Sequence, residues 1–376
     1  MHRNPFSAGE INARLARVRA ELWARGLAAA VFAAPETVFW LTGLDHWGYF
    51  APHLLVVPAE GVPVLVTRAM ERVTIEHQVT AADFAGHPDS ETAADRAASV
   101  LAARGLAGRR LGLETWTSGM SHGLARRLAG AVAAEWQDVS GLVDALRRVK
   151  SPEEQALVRR AAAVSRAAAA AALDAIGDGA REVDVAAACV AAMIRAGGDP
   201  PGFGPFIRPG PRIGEEHATW GDGRFRPGEW VFIELSGCVG RYHAPLGRLV
   251  AIGPVAAADA VMAATAARAF DAAVAALRPG ARACDVYAAW QGVVDAAGLA
   301  HYRRHHCGYL VGVGVPPSWT GGNTVTGLRH DSDLPIEPGM TFHVLSWLMG
   351  TGRGDAFVSE TVLVTEAEAE VLTAGD

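Results

Sequence analysis

Gly179-Ala180-Arg181-Glu182-Val183-Asp184-Val185 recurs as Gly280-Ala281-Arg282-Ala283-Cys284-Asp285-Val286. Each copy continues as an Ala-rich, helix-favouring stretch that ends in Ala-Gly, at Ala196-Gly197 and Ala297-Gly298. Downstream, Arg226-Pro227-Gly228 leads into the apolar strand Val231–Leu235, as Glu337-Pro338-Gly339 leads into Thr341–Leu345. Two copies of helix, helix, turn and strand predict a domain with pseudo-two-fold symmetry and a site between its halves.

Upstream of the repeat, Val149-Lys150-Ser151-Pro152-Glu153-Glu154 marks a boundary. Ser151 suits a helix N-cap, Pro152 the first helical position and Glu154 the reciprocal carboxylate of a capping box. The second domain is therefore expected over 151–376 and a first domain over 1–150. In the first, Ile11–Ala24 carries Leu15, Val18, Leu22 and Trp23 at helical spacing, and Ala28–Ala33 reads as a buried strand. Thr37–Thr42, Leu54–Val57 and Val62–Val66 are further apolar runs, and Val139–Leu146 starts the connecting segment.

Composition narrows the function classes. Of 376 residues half are hydrophobic and a fifth charged, as in ordinary globular proteins. A net charge of -6 offers no basic surface for phosphates, so no nucleic-acid partner is expected. No apolar run has membrane-spanning length, so no membrane association is expected. MHRNPFSAGEIN lacks the pattern of an export signal. Cys189, Cys238, Cys284 and Cys307 are scattered without a CxxC pair, against a disulfide framework or structural zinc. The expected location is cytoplasmic.

These features together resemble the pita-bread fold of the creatinase and aminopeptidase P family, over nearly the whole chain. LRRVKSPEE resembles the junction between that family's amino-terminal and catalytic domains. WVFIELSG, TFHVLSW and FVSETVLVTE resemble its site-lining strands. The fold class implied is α+β: a pita-bread catalytic domain with an internal pseudo-two-fold repeat, preceded by an α/β amino-terminal domain. Metal-using members hold two Asp, one His and two Glu around a dinuclear centre. Matching the strands puts Glu234 and Pro245 at the Asp positions, Tyr309 at the His, and Leu345 and Ser359 at the two Glu. Pro and Leu side chains carry no ligand atom, and Tyr and Ser are poor substitutes. No metal and no other cofactor is expected, as in creatinase, a hydrolase of this fold that works without one. A closer likeness is to the ectoine hydrolase branch, through LTGLDHWGYFAPH, RYHAPLGR, GYLVGVGVPPSW, TFHVL and SETVLVTE. Ser318-Trp319-Thr320-Gly321 departs from that branch's Asp-Trp-Gly-Glu run.

Among chemistry-bearing residues, Glu234 lies in the apolar strand Val-Phe-Ile-Glu-Leu, on the Phe232 face. A buried carboxylate is costly unless paired or used. It is expected either to pair with an arginine such as Arg248, or to act as nucleophile or general base on an electron-poor amidine or guanidine carbon. His217 resembles the histidine that creatinase and related peptidases use near the scissile bond, and would protonate a leaving nitrogen. Strand alternation puts His343 on the side of Thr341 and Leu345, as a proton carrier or substrate anchor. The remaining candidates are substrate-binding. Tyr309 offers a hydroxyl, and Ser359 faces the former metal position, whereas Glu360 is expected to face away and orient a partner. Arg208 and Arg212, in FIRPGPR, would fork a substrate carboxylate. Trp319 lies in the altered loop. His306 ends the run His301-Tyr302-Arg303-Arg304-His305-His306, whose spacing reads as loop histidines and not a metal cluster. Trp47 and Tyr49, in the aromatic run Asp45-His46-Trp47-Gly48-Tyr49-Phe50, would suit an amidinium cation.

In dimeric relatives a loop of one subunit's amino-terminal domain closes the other's site, so a homodimer with shared sites is expected. The function implied is metal-independent hydrolysis of a non-peptide C–N bond in a small zwitterion, first an ectoine-like amidine, then a creatine-like guanidine. The rivals are a metal-dependent Xaa-Pro peptidase, a non-catalytic binding protein on the same scaffold, and a metal-free lyase or isomerase of a biosynthetic pathway.

Overall fold

The structure is a computed structural model that describes residues 4–322 and 324–375. The chain divides into two compact units, residues 1–147 and 148–376. The amino-terminal unit contains α1 (Ala8–Ala24), β1 (Ala29–Phe32), α2 (Pro35–Thr42), β2 (Leu54–Pro58), β3 (Val64–Arg68), α3 (Arg72–Gln78), β4 (Asp83–His87), α4 (Ala93–Ala103), β5 (Arg110–Leu113), α5 (His122–Ala131), β6 (Glu135–Asp138) and α6 (Leu142–Leu146). Its strands form one mixed sheet in the order β4-β3-β2-β1-β5-β6. β1 lies inside the sheet and all four of its residues are buried, which is why Ala28–Ala33 reads as an unbroken apolar run. Leu15, Val18 and Leu22 of α1 are buried as their spacing requires, but Trp23 keeps 61% of its surface exposed. The run Thr37–Thr42 is the body of α2, started by Pro35 and stopped by Gly43 in the left-handed conformation, φ 75°.

The carboxy-terminal unit contains α7 (Pro152–Ala175), α8 (Glu182–Arg195), β7 (Phe206–Pro209), β8 (Trp230–Val239), β9 (Tyr242–Ala251), α9 (Ala257–Ala276), α10 (Ala283–Ala296), β10 (Gly308–Leu310), β11 (Thr341–Leu348), β12 (Ala356–Val364) and β13 (Ala369–Val371). At the start of α7 the Ser151 hydroxyl accepts the Glu154 N–H, and the Glu154 carboxylate accepts the Ser151 N–H at 2.8 Å. Glu154 is also fully buried and accepts the Tyr242 hydroxyl at 2.5 Å, so the cap fastens the helix to β9.

The internal repeat is structural. Gly179 and Gly280 take the same left-handed turn, φ 76° and 83°, and Gly228 and Gly339 do so before the repeated strands, φ 84° and 87°. Arg181 and Arg282 precede α8 and α10, and each pairs with the Asp three residues on, Asp184 and Asp285. Helices pair as α7 with α8 and α9 with α10. The strands form an antiparallel sheet in the order β10-β11-β12-β9-β8-β7, with β13 added beside β12. One face packs on helices, with Met262, Ala266, Phe270 and Trp290 against Phe342, Val344 and Val362. The other carries Phe206, Phe232, Trp319, Leu345 and Phe357, and the polar residues described next. None of the four cysteines forms a disulfide among the described residues. No helix among the described residues is long and apolar enough to cross a membrane.

Candidate active site

The register gathers the candidate residues into one row across four strands. Glu234 on β8 is opposite Gly247 on β9, Gly247 is opposite Ser359 on β12, and Ser359 is opposite Leu345 on β11. Phe206 on β7 lies opposite Glu234, and Tyr309 on β10 opposite His343. Directly paired residues share a face, and so do residues two apart on a strand. Phe232, Pro245, His343 and Phe357 therefore join Glu234, Ser359, Leu345 and Tyr309 on the face away from the helices.

A polar chain runs along this face. The Trp319 indole N–H donates to the Tyr309 hydroxyl at 3.0 Å. That hydroxyl lies 2.9 Å from His343 Nδ1, and His343 Nε2 lies 2.7 Å from Ser359 Oγ. A Glu234 carboxylate oxygen stands 3.9 Å from the same Nε2. Burial pushes the His343 imidazole down to about 3, so near neutral pH it is uncharged with one N–H. Burial, with Glu234 adding, pushes the Tyr309 phenol up, so its proton stays on. The indole can only donate, so it takes a lone pair of the phenol oxygen. The tyrosyl O–H is then free for Nδ1, leaving Nε2–H directed at Ser359 and Glu234.

Glu234 sits in this apolar setting with 12% of its side chain exposed. Burial, with Glu216 adding, pushes its carboxyl up to about 8 against the opposing pull of Arg208. At neutral pH it is thus mostly protonated, a poised acid–base group.

Arg208 and Arg212, expected to fork a substrate carboxylate, have partners within the chain. Arg208 is fully buried, stacks over Phe232 with its Cζ 4.3 Å from the ring centre, and donates to the Glu215 carbonyl. Arg212 pairs with the buried Glu182 at 2.7 Å and with Glu215 at 2.9 Å. Glu182 also accepts the Gly221 N–H at 2.5 Å. Both guanidinium groups brace the segment 212–221, which carries His217, although the Arg208 Nε stays buried without a partner. His217 is exposed and holds a left-handed backbone, φ 56°, unusual outside glycine. Its ring lies 6.2 Å from Phe203 and 6.1 Å from Phe206, and both phenylalanines pack on Trp319.

Other expectations change with the structure. Glu360 does face away from the row, as expected, and its carboxylate is engaged within the chain. Its carboxylate pairs with Arg248 and accepts the Thr373 hydroxyl at 2.6 Å. That pairing also removes Arg248 as a partner for Glu234. Ser359, Arg208 and His343 have essentially no exposed surface, and Trp319 very little, so they support the site from beneath. His306 is partly buried, its ring 5.4 Å from Tyr309, and burial pushes it down to about 3. Its Nδ1 is buried with no hydrogen-bond partner, a vacant acceptor or donor beside the row. Trp47 and Tyr49 belong to the amino-terminal unit, where Trp47 is 63% exposed and the Tyr49 hydroxyl donates to the Leu44 carbonyl at 3.0 Å. Phe203, Phe206 and Trp347 were not singled out from sequence. Only the spacing of phenylalanines in Gly202-Phe203-Gly204-Pro205-Phe206 hints at the first two.

The five positions at which the resemblance puts metal ligands fall together on this face, but their side chains do not fit a dinuclear metal centre. Pro245 and Leu345 provide no donor, Tyr309 and Ser359 are bonded to His343, and Glu234 is a single carboxylate. Among the described residues no three His, Cys, Asp or Glu side chains converge to hold an ion.

Residues 156–366 match the model of metallopeptidase family M24, and residues 14–149 match the creatinase/prolidase N-terminal domain. The ectoine hydrolase of Halomonas elongata is 28% identical over 395 residues, covering 98% of this chain and 96% of that protein. Dipeptidase PepE from Mycobacterium ulcerans superposes with a TM-score of 0.82 at 25% identity, over 99% of this chain and 97% of that one. Prolidase from Pyrococcus furiosus does so with a TM-score of 0.81 at 20% identity, over 95% of this chain and 99% of that one, and shares the fold. With a creatinase/prolidase amino-terminal domain followed by the pita-bread catalytic domain, the chain belongs to metallopeptidase family M24.

Proposed function

We propose that this chain hydrolyses a non-peptide C–N bond in a small zwitterion without a metal, with an ectoine-like cyclic amidine as the leading substrate and a creatine-like guanidine second. The observation that carries the reading is Glu234. It is one carboxylate with a raised pKa, on the row where the resemblance puts metal ligands, among side chains that cannot replace them. The similarity to an ectoine hydrolase over nearly the full length of both chains supports the substrate class. Phe203, partly exposed over the buried Phe206 and Trp319, offers an aromatic face to a delocalised amidinium. A cation bound there favours the ionised form of Glu234, lowering its pKa toward neutrality as substrate enters.

Ionised Glu234 then takes a proton from water as the oxygen attacks the amidine carbon, or attacks that carbon itself to form a covalent adduct that water hydrolyses after the C–N bond has broken, freeing Glu234. Collapse of the adduct breaks the C–N bond, and the leaving nitrogen receives a proton from His217, the exposed imidazole of the group. His343 does not touch substrate. It holds its proton toward Ser359 and Glu234 and restrains the carboxylate. The test is proton NMR of ectoine with chelator-treated protein. Ring opening is expected, and an unchanged spectrum overturns ectoine as substrate.

The second reading is an Xaa-Pro peptidase, favoured by the likeness to PepE and to prolidase. It requires a metal that the donor set does not fit. Stoichiometric manganese or cobalt, with chelator-sensitive cleavage of a Gly-Pro dipeptide, would establish it in place of the first.

A further inference from the structure

A zwitterionic substrate needs a cation for its carboxylate, and the arginines around the site face are mostly committed. Arg208 and Arg212 brace the His217 segment, Arg208 through a terminal N–H while its Nε stays unpartnered, Arg248 pairs with Glu360, Arg303 with Asp295 at 2.7 Å and Arg329 with Asp331 at 2.8 Å. Arg304 differs. Its Cζ lies 4.8 Å from the centre of the Trp347 ring, and Trp347 packs on Phe232 at 5.3 Å and Phe357 at 4.9 Å, both on the site face. Two residues further on, the His306 ring lies 5.4 Å from Tyr309. Among the described residues the Arg304 guanidinium makes no hydrogen bond and no ion pair, and its Nε is buried without a partner.

We propose that Arg304 is the carboxylate anchor of this site, taking the substrate's carboxylate through a two-point hydrogen bond from Nε–H and a terminal N–H. This inference rests on the reading of the site as one for a small zwitterion. A buried unpaired donor is costly, and a carboxylate satisfies it together with its neighbour in the geometry that guanidinium and carboxylate share. Stacking on Trp347 holds the guanidinium plane while leaving its N–H edge available. Lysine at this position keeps the charge but loses both the fork and the stack, so it should restore only part of the binding.

The experiment measures binding and turnover of three carboxylate ligands, ectoine, creatine and Gly-Pro, and of their carboxamide counterparts. The proteins are wild type, Arg304→Gln and Arg304→Lys, with thermal melts to verify folding. The expected result is about 10- to 100-fold weaker binding or higher KM for whichever carboxylate the wild type accepts, with kcat changed much less. Arg304→Lys should fall between, and the carboxamides should bind all three proteins equally weakly. Loss confined to Gly-Pro supports the anchor while overturning the amidine reading. Unchanged carboxylate affinity in a folded Arg304→Gln protein, or equal loss for carboxylates and carboxamides, overturns the anchor and leaves the amidine reading intact. Failure of wild type to bind any of the three carboxylates overturns both.

Discussion

Glu234 is a residue whose chemical value and folding cost have the same origin. An ordinary glutamate near 4.5 is raised to about 8 here, chiefly by burial. Between those values the folded chain holds a proton that the unfolded chain has released, so this carboxyl makes stability fall as pH rises through the window, by up to about 1.4 kcal/mol per pH unit. Glu234→Gln removes the titration. The variant is expected to melt progressively higher than wild type from about pH 5 to about pH 8, and to lose turnover by about 100-fold or more, read by denaturation at several pH values and by steady-state kinetics. A wild-type kcat/KM that rises with pH toward about 8 would mark Glu234 as acting in its ionised form. Equal melting at every pH, or retained turnover, would remove Glu234 from the chemistry. This residue was legible in the sequence because a lone carboxylate in Val-Phe-Ile-Glu-Leu breaks an apolar pattern. The fates of Arg208 and Arg212 were not, because Glu182 lies 30 residues from Arg212 and only the folded chain brings them together. The same holds for the pairing of Arg248 with Glu360.

At the scale of the strands, period-two alternation was enough to put His343, Leu345 and Ser359 on one side and Glu360 on the other. What alternation cannot give is which strand lies beside which, and here β12 separates β9 from β11. That order brings Gly247 against Phe357 and Ser359. A Cβ added at Gly247 would overlap the Phe357 ring and come to 3.0 Å of Ser359 Oγ. Gly247→Ala is therefore expected to destabilise the carboxy-terminal unit by about 1–3 kcal/mol, as overpacking does. It should also disturb the Ser359–His343 bond and so lower kcat more than it raises KM. Combining it with Phe357→Leu should recover part of the stability, since the two side chains compete for one space. Denaturant melts of the single and double variants measure this, and strict additivity would show that the crowding is relieved elsewhere. Helix ends were the most legible features of all. The Ser151 cap and the paired glycines of the repeat are local devices whose partners lie within a few residues. Trp23 misled for the opposite reason, since its spacing fits the buried face of α1 but its position at the last turn leaves it exposed.

Across the whole chain, each unit shows a feature that demands a context beyond itself. On the amino-terminal unit Trp47, Phe50, Met70 and Val73 are all well exposed, and the contact of His46 with Glu71 at 3.4 Å draws their two segments together. We propose that a second copy of this chain covers this patch in a homodimer. Trp47→Ala with Phe50→Ala should shift sedimentation from dimer to monomer and lower activity, whereas fully active, monodisperse wild-type monomer would refute the shared-site arrangement. In the carboxy-terminal unit the demand is for a pH. His243, His306 and His343 are each pushed by burial from 6.5 to about 3, so between those values the unfolded chain binds three protons that the folded chain refuses. Stability from these groups is lost as pH falls below 6.5, and His305, also pushed down, acts in the same direction. Glu234 opposes them above 4.5 with one proton. The net is two protons favouring stability as pH rises from about 4.5 to 6.5, about 3 kcal/mol per pH unit at most, then one proton disfavouring it up to about 8. Stability of this unit is expected to peak near pH 6.5 and to fall more steeply on the acid side. Melting profiles across pH 4–9 measure the shape, and double substitution of His343 and His306 by Gln should flatten the acid limb while leaving the alkaline one. A profile whose steeper limb lay on the alkaline side would mean that these imidazoles are not held neutral by burial, and the proton assignment of the Tyr309–His343–Ser359 chain would fall with it.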